Sequence, residues 1–78
     1  MDHKVYRKII SSIDNGLMKE PFSNRDFRKY CLGLGDGTYK AFLYKHKKGN
    51  RGGNTELFDQ VGENLFKVIR PYKYGILK

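Results

Sequence analysis

Apolar residues near the start of the chain recur at a helical interval. Val5, Tyr6, Ile9, Ile10, Ile13 and Leu17 share one face at 3.6-residue spacing, while Lys4, Arg7, Lys8 and Ser11 fall opposite. This pattern predicts an amphipathic helix over His3–Asn15. Asn15-Gly16 supplies its stop, because both residues tolerate the left-handed backbone that ends helices. Pro21 closes the connecting segment.

A second helix is predicted over Phe22–Leu32. Ser23 can accept from a free amide, and Asp26 three residues on completes a variant of the capping box. Phe22 and Phe27 occupy the two positions of a hydrophobic staple. Phe27, Tyr30 and Cys31 then face inward, and Arg25, Arg28 and Lys29 outward. Gly33-Leu34-Gly35-Asp36-Gly37 reads as the turn that follows, with Leu34 plugging into the core. Thr38 or Asp36 is the expected cap of a third helix over Tyr39–Lys48. Its core face is Tyr39, Phe42, Leu43 and His46. Its outer face is Lys40, Ala41, Tyr44, Lys47 and Lys48, with Lys45 at the edge.

Beyond a polar, glycine-rich stretch over 49–54, the period changes from helical to alternating. Leu57–Val61 and Leu65–Ile69 read as strands of a hairpin around Gly62-Glu63-Asn64. Phe58, Val61, Phe66 and Val68 are the residues expected to cover the helices, and a short strand near residues 17–22 could pair with this hairpin. The fold class is therefore α+β, mainly α with a small β-hairpin: three helices plus a wing, the order of a winged helix-turn-helix. The domain spans 1–70, and 71–78 forms a C-terminal tail. Tyr74, Ile76 and Leu77 make that tail too apolar to stay free, so it is expected to pack back or to meet a protein partner.

Charge adds a partner class. Sixteen Lys/Arg against eight Asp/Glu give a net +8 over 78 residues. Residues 1–20 carry +1, residues 21–48 carry +5, residues 49–69 carry −1 and the last nine carry +3. A surplus concentrated on the two-helix unit is the electrostatic footprint expected of a nucleic-acid binder. Lys40, Tyr44, Lys47 and Lys48 are the candidates for the major groove of duplex DNA. Arg25, Arg28 and Lys29 are the candidates for phosphates beside it, and Arg51 for a phosphate or the minor groove. The expected groove face carries no Arg, Asn or Gln for bidentate base contacts, which points to low sequence preference.

Other chemistries find little support. Gly33–Gly37 lacks the Gly-Lys-Ser/Thr ending of a phosphate loop. Cys31 and His46 sit on apolar faces and read as core, with no further ligands spaced for a metal. No nucleophile–base–acid set and no carboxylate pair appears, so neither an enzyme nor a cofactor is expected. One cysteine cannot form an internal disulfide, and no apolar run approaches the length of a membrane span. A cytoplasmic location follows as the expectation. The alternative function is a protein-interaction module docking on a larger nucleic-acid enzyme such as an RNA polymerase or a nuclease. RNA binding through Tyr44, Tyr72 and Tyr74 is a third reading.

The residues also carry a resemblance. Pro21-Phe22-Ser23, Gly37-Thr38-Tyr39 with Phe42-Leu43-Tyr44, and Leu57-Phe58-Asp59-Gln60-Val61-Gly62 with Phe66-Lys67-Val68 resemble HARE-type winged helix-turn-helix modules. Such modules occur in restriction enzymes, chromatin-associated regulators and the delta subunit of bacterial RNA polymerase. The similarity covers Val5–Ile69. It implies a winged helix and contact with DNA. This chain differs in the long basic, glycine-rich stretch Lys47–Asn54 between the third helix and the wing.

Overall fold

The structure is a computed structural model that describes residues 3–49 and 55–76. Three helices precede an antiparallel hairpin: α1 (His3–Asp14), α2 (Asn24–Tyr30), α3 (Asp36–Lys45), β1 (Phe58–Gly62) and β2 (Leu65–Val68). This is the winged-helix-like α+β layout that the sequence pattern predicts.

Val5, Tyr6, Ile9 and Ile10 of α1 are buried as the spacing requires, and Ile13 is half-buried. Leu17 departs from that face. The helix has already ended, Gly16 turns the chain at φ +75°, and the Leu17 side chain is 57% exposed. Met18 fills the core position instead. The α2 capping box is complete: Asp26 N–H donates to Ser23 Oγ and Ser23 N–H to Asp26 Oδ2, both at 3.1 Å. Four of its expected residues lie outside the helix, with Ser23 as the N-cap and Cys31 as the C-cap. Leu32 is 71% exposed. Phe22 instead forms an antiparallel bridge with Phe66, each backbone N–H reaching the other's carbonyl at 2.8–2.9 Å. That bridge is the short third-strand pairing anticipated near residues 17–22.

The third helix starts earlier than its glycines suggest. Gly35 is the N-cap, with no side-chain cap, and Asp36 and Gly37 lie in the first turn. It also ends earlier. After the C-cap His46 the chain runs beside β1, with a parallel bridge between Lys47 and Phe58 and a 2.7 Å bond from Lys48 N–H to Phe58 O. Lys47 and Lys48 are therefore not on the helix. Backbone pairing has taken them into the edge of the wing.

The hairpin registers Phe58 with Val68 and Gln60 with Phe66, and a bulge at Val61 restores the pairing at Gly62–Leu65. Phe58, Phe66 and Val68 face the core. Val61 does not, because it lies three residues after Phe58 and the two-residue alternation of a strand puts it on the opposite face, where it is 48% exposed. Leu57, just before β1, is buried in its place. At the tip, the Asn24 backbone N–H donates to Asn64 Oδ1 and ties the turn to the start of α2.

One aromatic cluster joins all five elements. The Phe58 ring contacts Tyr6 of α1, Phe22 and Phe42 of α3 edge-on, with centroids 6.3, 6.1 and 5.9 Å away. Phe27 bridges α2 to Tyr39 and Phe42. The predicted core members Ile9, Phe27, Phe42, Leu43 and Phe66 are buried, and Ile13, Tyr30 and Leu34 pack against them half-buried. The segment after Pro71 returns to α1. Tyr72 is buried, Tyr74 stands edge-on to Tyr6 at 5.5 Å, and the Lys73 N–H donates to the Tyr6 hydroxyl at 2.9 Å.

Candidate nucleic-acid interface

The exposed side of α3 is set by its buried side. With Tyr39, Phe42, Leu43 and His46 turned inward, the 3.6-residue period leaves Asp36, Gly37, Lys40, Ala41, Tyr44 and Lys45 facing solvent. Gly37, Thr38 and Ala41 are too small to fill that side. Together with Phe42 and Lys45 they line a shallow depression of about 160 Å³. Lys45, placed at the helix edge by the sequence pattern, belongs to this surface. The signal for it was the phase itself, since Lys45 falls four residues after Ala41 and eight after Gly37.

Two of the predicted contacts are joined through a carboxylate. Asp36 Oδ1 accepts from the Arg28 guanidinium at 3.0 Å, and Asp36 Oδ2 lies 3.2 Å from Lys40 Nζ. These two hydrogen bonds hold the Asp36 carboxyl below the usual carboxylate range. The Arg28 guanidinium also lies over the Tyr39 ring at 4.7 Å, which fixes its stem against α3. All three groups are exposed, so solvent screens their attraction strongly. What the triad gives is position: it sets an arginine from α2 and a lysine from α3 side by side.

The other candidates divide. Tyr44 is 39% exposed, and its ring stands edge-on to Phe66 of β2 at 5.3 Å. Lys47 Nζ donates to Gln60 Oε1 at 2.8 Å and sits 5.8 Å from the Tyr44 ring, so it stitches the end of α3 to the wing. The side chains of Lys48 and Arg25 are exposed, and Lys29 lies over Tyr30 at 5.2 Å. The structure thus brings together Arg28, Lys40, Tyr44 and Lys45. Lys47 stands at the wing junction, with Lys48 beyond it. Arg51 and the rest of 50–54 lie outside the described residues.

Nothing nearby suggests a reacting centre. Cys31 is buried, burial pushes its thiol up, and its sulfur lies 3.7 Å from Ser12 Oγ. His46 is buried with Nδ1 2.8 Å from the Thr55 carbonyl. Among the described residues no group of three His, Cys, Asp or Glu side chains could hold a metal, and no helix is long and apolar enough to cross a membrane. No family model, curated protein or solved structure matches this chain. Its function is therefore argued from this surface.

The wing carries charges of both signs. Its exposed residues include Asp59, Val61, Glu63 and Leu65 beside Lys67. A concavity of about 730 Å³ lies where the wing meets the C-terminal segment, and its charges are mixed: Glu20, Glu56 and Asp59 against Lys48, Lys67, Arg70 and Lys73. Interleaved charges of both signs attract a polyanion less than a surface of cations alone.

Proposed function

We propose that this protein binds duplex DNA, with the exposed side of α3 in the major groove, as a small transcriptional regulator or nucleoid-type accessory factor. One observation carries the reading. In a winged-helix-like layout, the helix that enters the groove in such domains here presents Lys40, Tyr44 and Lys45 around the small residues Gly37, Thr38 and Ala41, with Arg28 held alongside through Asp36. Small residues permit close approach of the helix, and the cations supply phosphate contacts. No Arg, Asn or Gln lies within α3, so backbone contact dominates and sequence preference is low. The resemblance to HARE-type modules supports the same assignment.

The protein-docking alternative draws its support from the apolar tail and from the isolated-domain size. Tyr72, Tyr74 and Ile76 pack against the core cluster, which accounts for these apolar residues within the domain and favours the DNA reading.

Fluorescence anisotropy with a short duplex over a salt series tests the reading. Each phosphate contact releases counterions, so log affinity falls with log salt at a slope of about −0.9 per contact. With about four to six contacts, affinity drops more than roughly a hundredfold between about 50 and 200 mM salt. Absence of binding at the low-salt end overturns it.

A further inference from the structure

The exposed side of α1 is also cationic, and DNA binding by α3 makes no use of it. Among the described residues Lys4, Arg7, Lys8 and Ser11 line an open depression of about 520 Å³. Their spacing of i, i+3, i+4 and i+7 puts them on a single stripe. The first turn holds no acid, and the first carboxylate among the described α1 residues is Asp14. The stripe points away from the core that α1 shares with α3. The Phe58 ring stands between α1 and α3, with Tyr6 and Phe42 each edge-on to it.

The Lys4–Arg7–Lys8 stripe and the exposed side of α3 thus both lie outward of the core that the two helices share, and the hairpin presents Asp59 and Glu63. We propose, on the basis of the DNA-binding reading above, that the Lys4–Arg7–Lys8 stripe is a second phosphate-binding face, and that one molecule bridges two duplexes.

The stiffness of DNA selects a second duplex over the far end of the first. The Cα positions span 30 × 28 × 25 Å, so one duplex would have to wrap tightly around a very small body to touch both faces. DNA has a persistence length of about 500 Å and resists sharp bending over such lengths. A separate duplex reaches the α1 stripe without bending. The match is one of charge alone, so this second contact is expected to ignore sequence.

The test is protein-dependent capture of a fluorescent duplex by an immobilised one, both about 30 base pairs, at low salt. Single-duplex affinity is measured in parallel for wild type, for Lys4→Ala/Arg7→Ala/Lys8→Ala and for Lys40→Ala/Lys45→Ala. Wild type is expected to capture. The α1 triple variant is expected to keep its single-duplex affinity within about threefold and to lose capture by at least about tenfold. The α3 double variant is expected to lose single-duplex affinity. Duplex binding by wild type without capture, or undiminished capture by the triple variant, overturns the second face and leaves the α3 reading standing. Loss of single-duplex affinity in the triple variant moves the primary contact to α1 and overturns both assignments. A wild type that binds no duplex removes the DNA reading and this inference with it.

Discussion

Glu20 and Arg70 are fifty positions apart and joined by both ends of the carboxylate. Arg70 Nη2 donates to Glu20 Oε1 at 2.7 Å and Nη1 to Oε2 at 3.0 Å, while the Val68 backbone N–H donates to the same Oε2 at 2.7 Å. Glu20 is 15% exposed and Arg70 45%. Arg70 also lies over the Tyr72 ring at 4.6 Å. The pair fastens the α1–α2 connection to the end of the wing.

This pair sets an acid limit. Partial burial pushes the Glu20 carboxyl up, but the hydrogen bonds from Arg70 and Val68 and the charges of Arg70 and Lys67 outweigh it, so the carboxyl titrates below its ordinary value. A lowered folded-state pKa contributes stability that is fully present above the unfolded value, roughly 4.3, and is lost as pH falls through the folded value. Urea midpoints at pH 7 and below pH 4 measure this. Glu20→Ala should destabilise by about 1–3 kcal/mol at pH 7, because the Val68 amide loses its acceptor. The gap from wild type should narrow in acid. A gap independent of pH would mean that the cost is packing.

Phe58→Ala should be the more damaging change. The ring is fully buried between α1, Phe22 and α3, and removing so large a side chain costs about 3–5 kcal/mol. Small domains hold little more than that in total. Circular dichroism at 37 °C should show a largely unfolded variant. A melt within a few degrees of wild type would contradict the central place of this ring.

Tyr6→Phe isolates one bond. Only the hydroxyl that accepts from Lys73 N–H is removed, and the ring stays for Phe58 and Tyr74. The expected loss is about 0.5–1.5 kcal/mol, with faster amide exchange at Lys73. Unchanged exchange would mean that the 71–76 segment is held by its aromatic packing rather than by this bond.

Asp36→Asn bears on function. It removes the one negative charge between Arg28 and Lys40 and frees both cations. Duplex affinity at low salt should rise about three- to tenfold, with a steeper salt slope. A fall in affinity would place the interface elsewhere.

What could be read in the sequence was local. The Ser23–Asp26 box, the inward Tyr39, Phe42, Leu43 and His46, and the alternation of Phe66 and Val68 each follow from neighbours a few residues apart, and each is present. The departures are long-range. Lys47 fits the helical period of α3, but a bridge to Phe58, eleven positions on, competes for its backbone. Gly35 and Gly37 read equally as breakers, although one caps α3 and the other lies inside it. Val61 keeps its strand on the outer face, as the alternation counted from Phe58 requires, while the bulge in the pairing beside it has no local signal. The Arg28–Asp36–Lys40 triad was hidden because it needs the angle between α2 and α3.

The anchoring of β2 has a consequence for solubility. Its outward backbone groups are occupied at Phe66 by Phe22, and at Val68 by Glu20 on the amide and Arg70 on the carbonyl. A strand margin closed in this way is a poor template for another chain, so the β2 edge resists edge-to-edge assembly although Leu65 is exposed beside it. The closure at Val68 depends on an ionised carboxylate. Acid that discharges Glu20 would loosen the fold and uncover a β-edge together, and self-association should begin there before the helices melt.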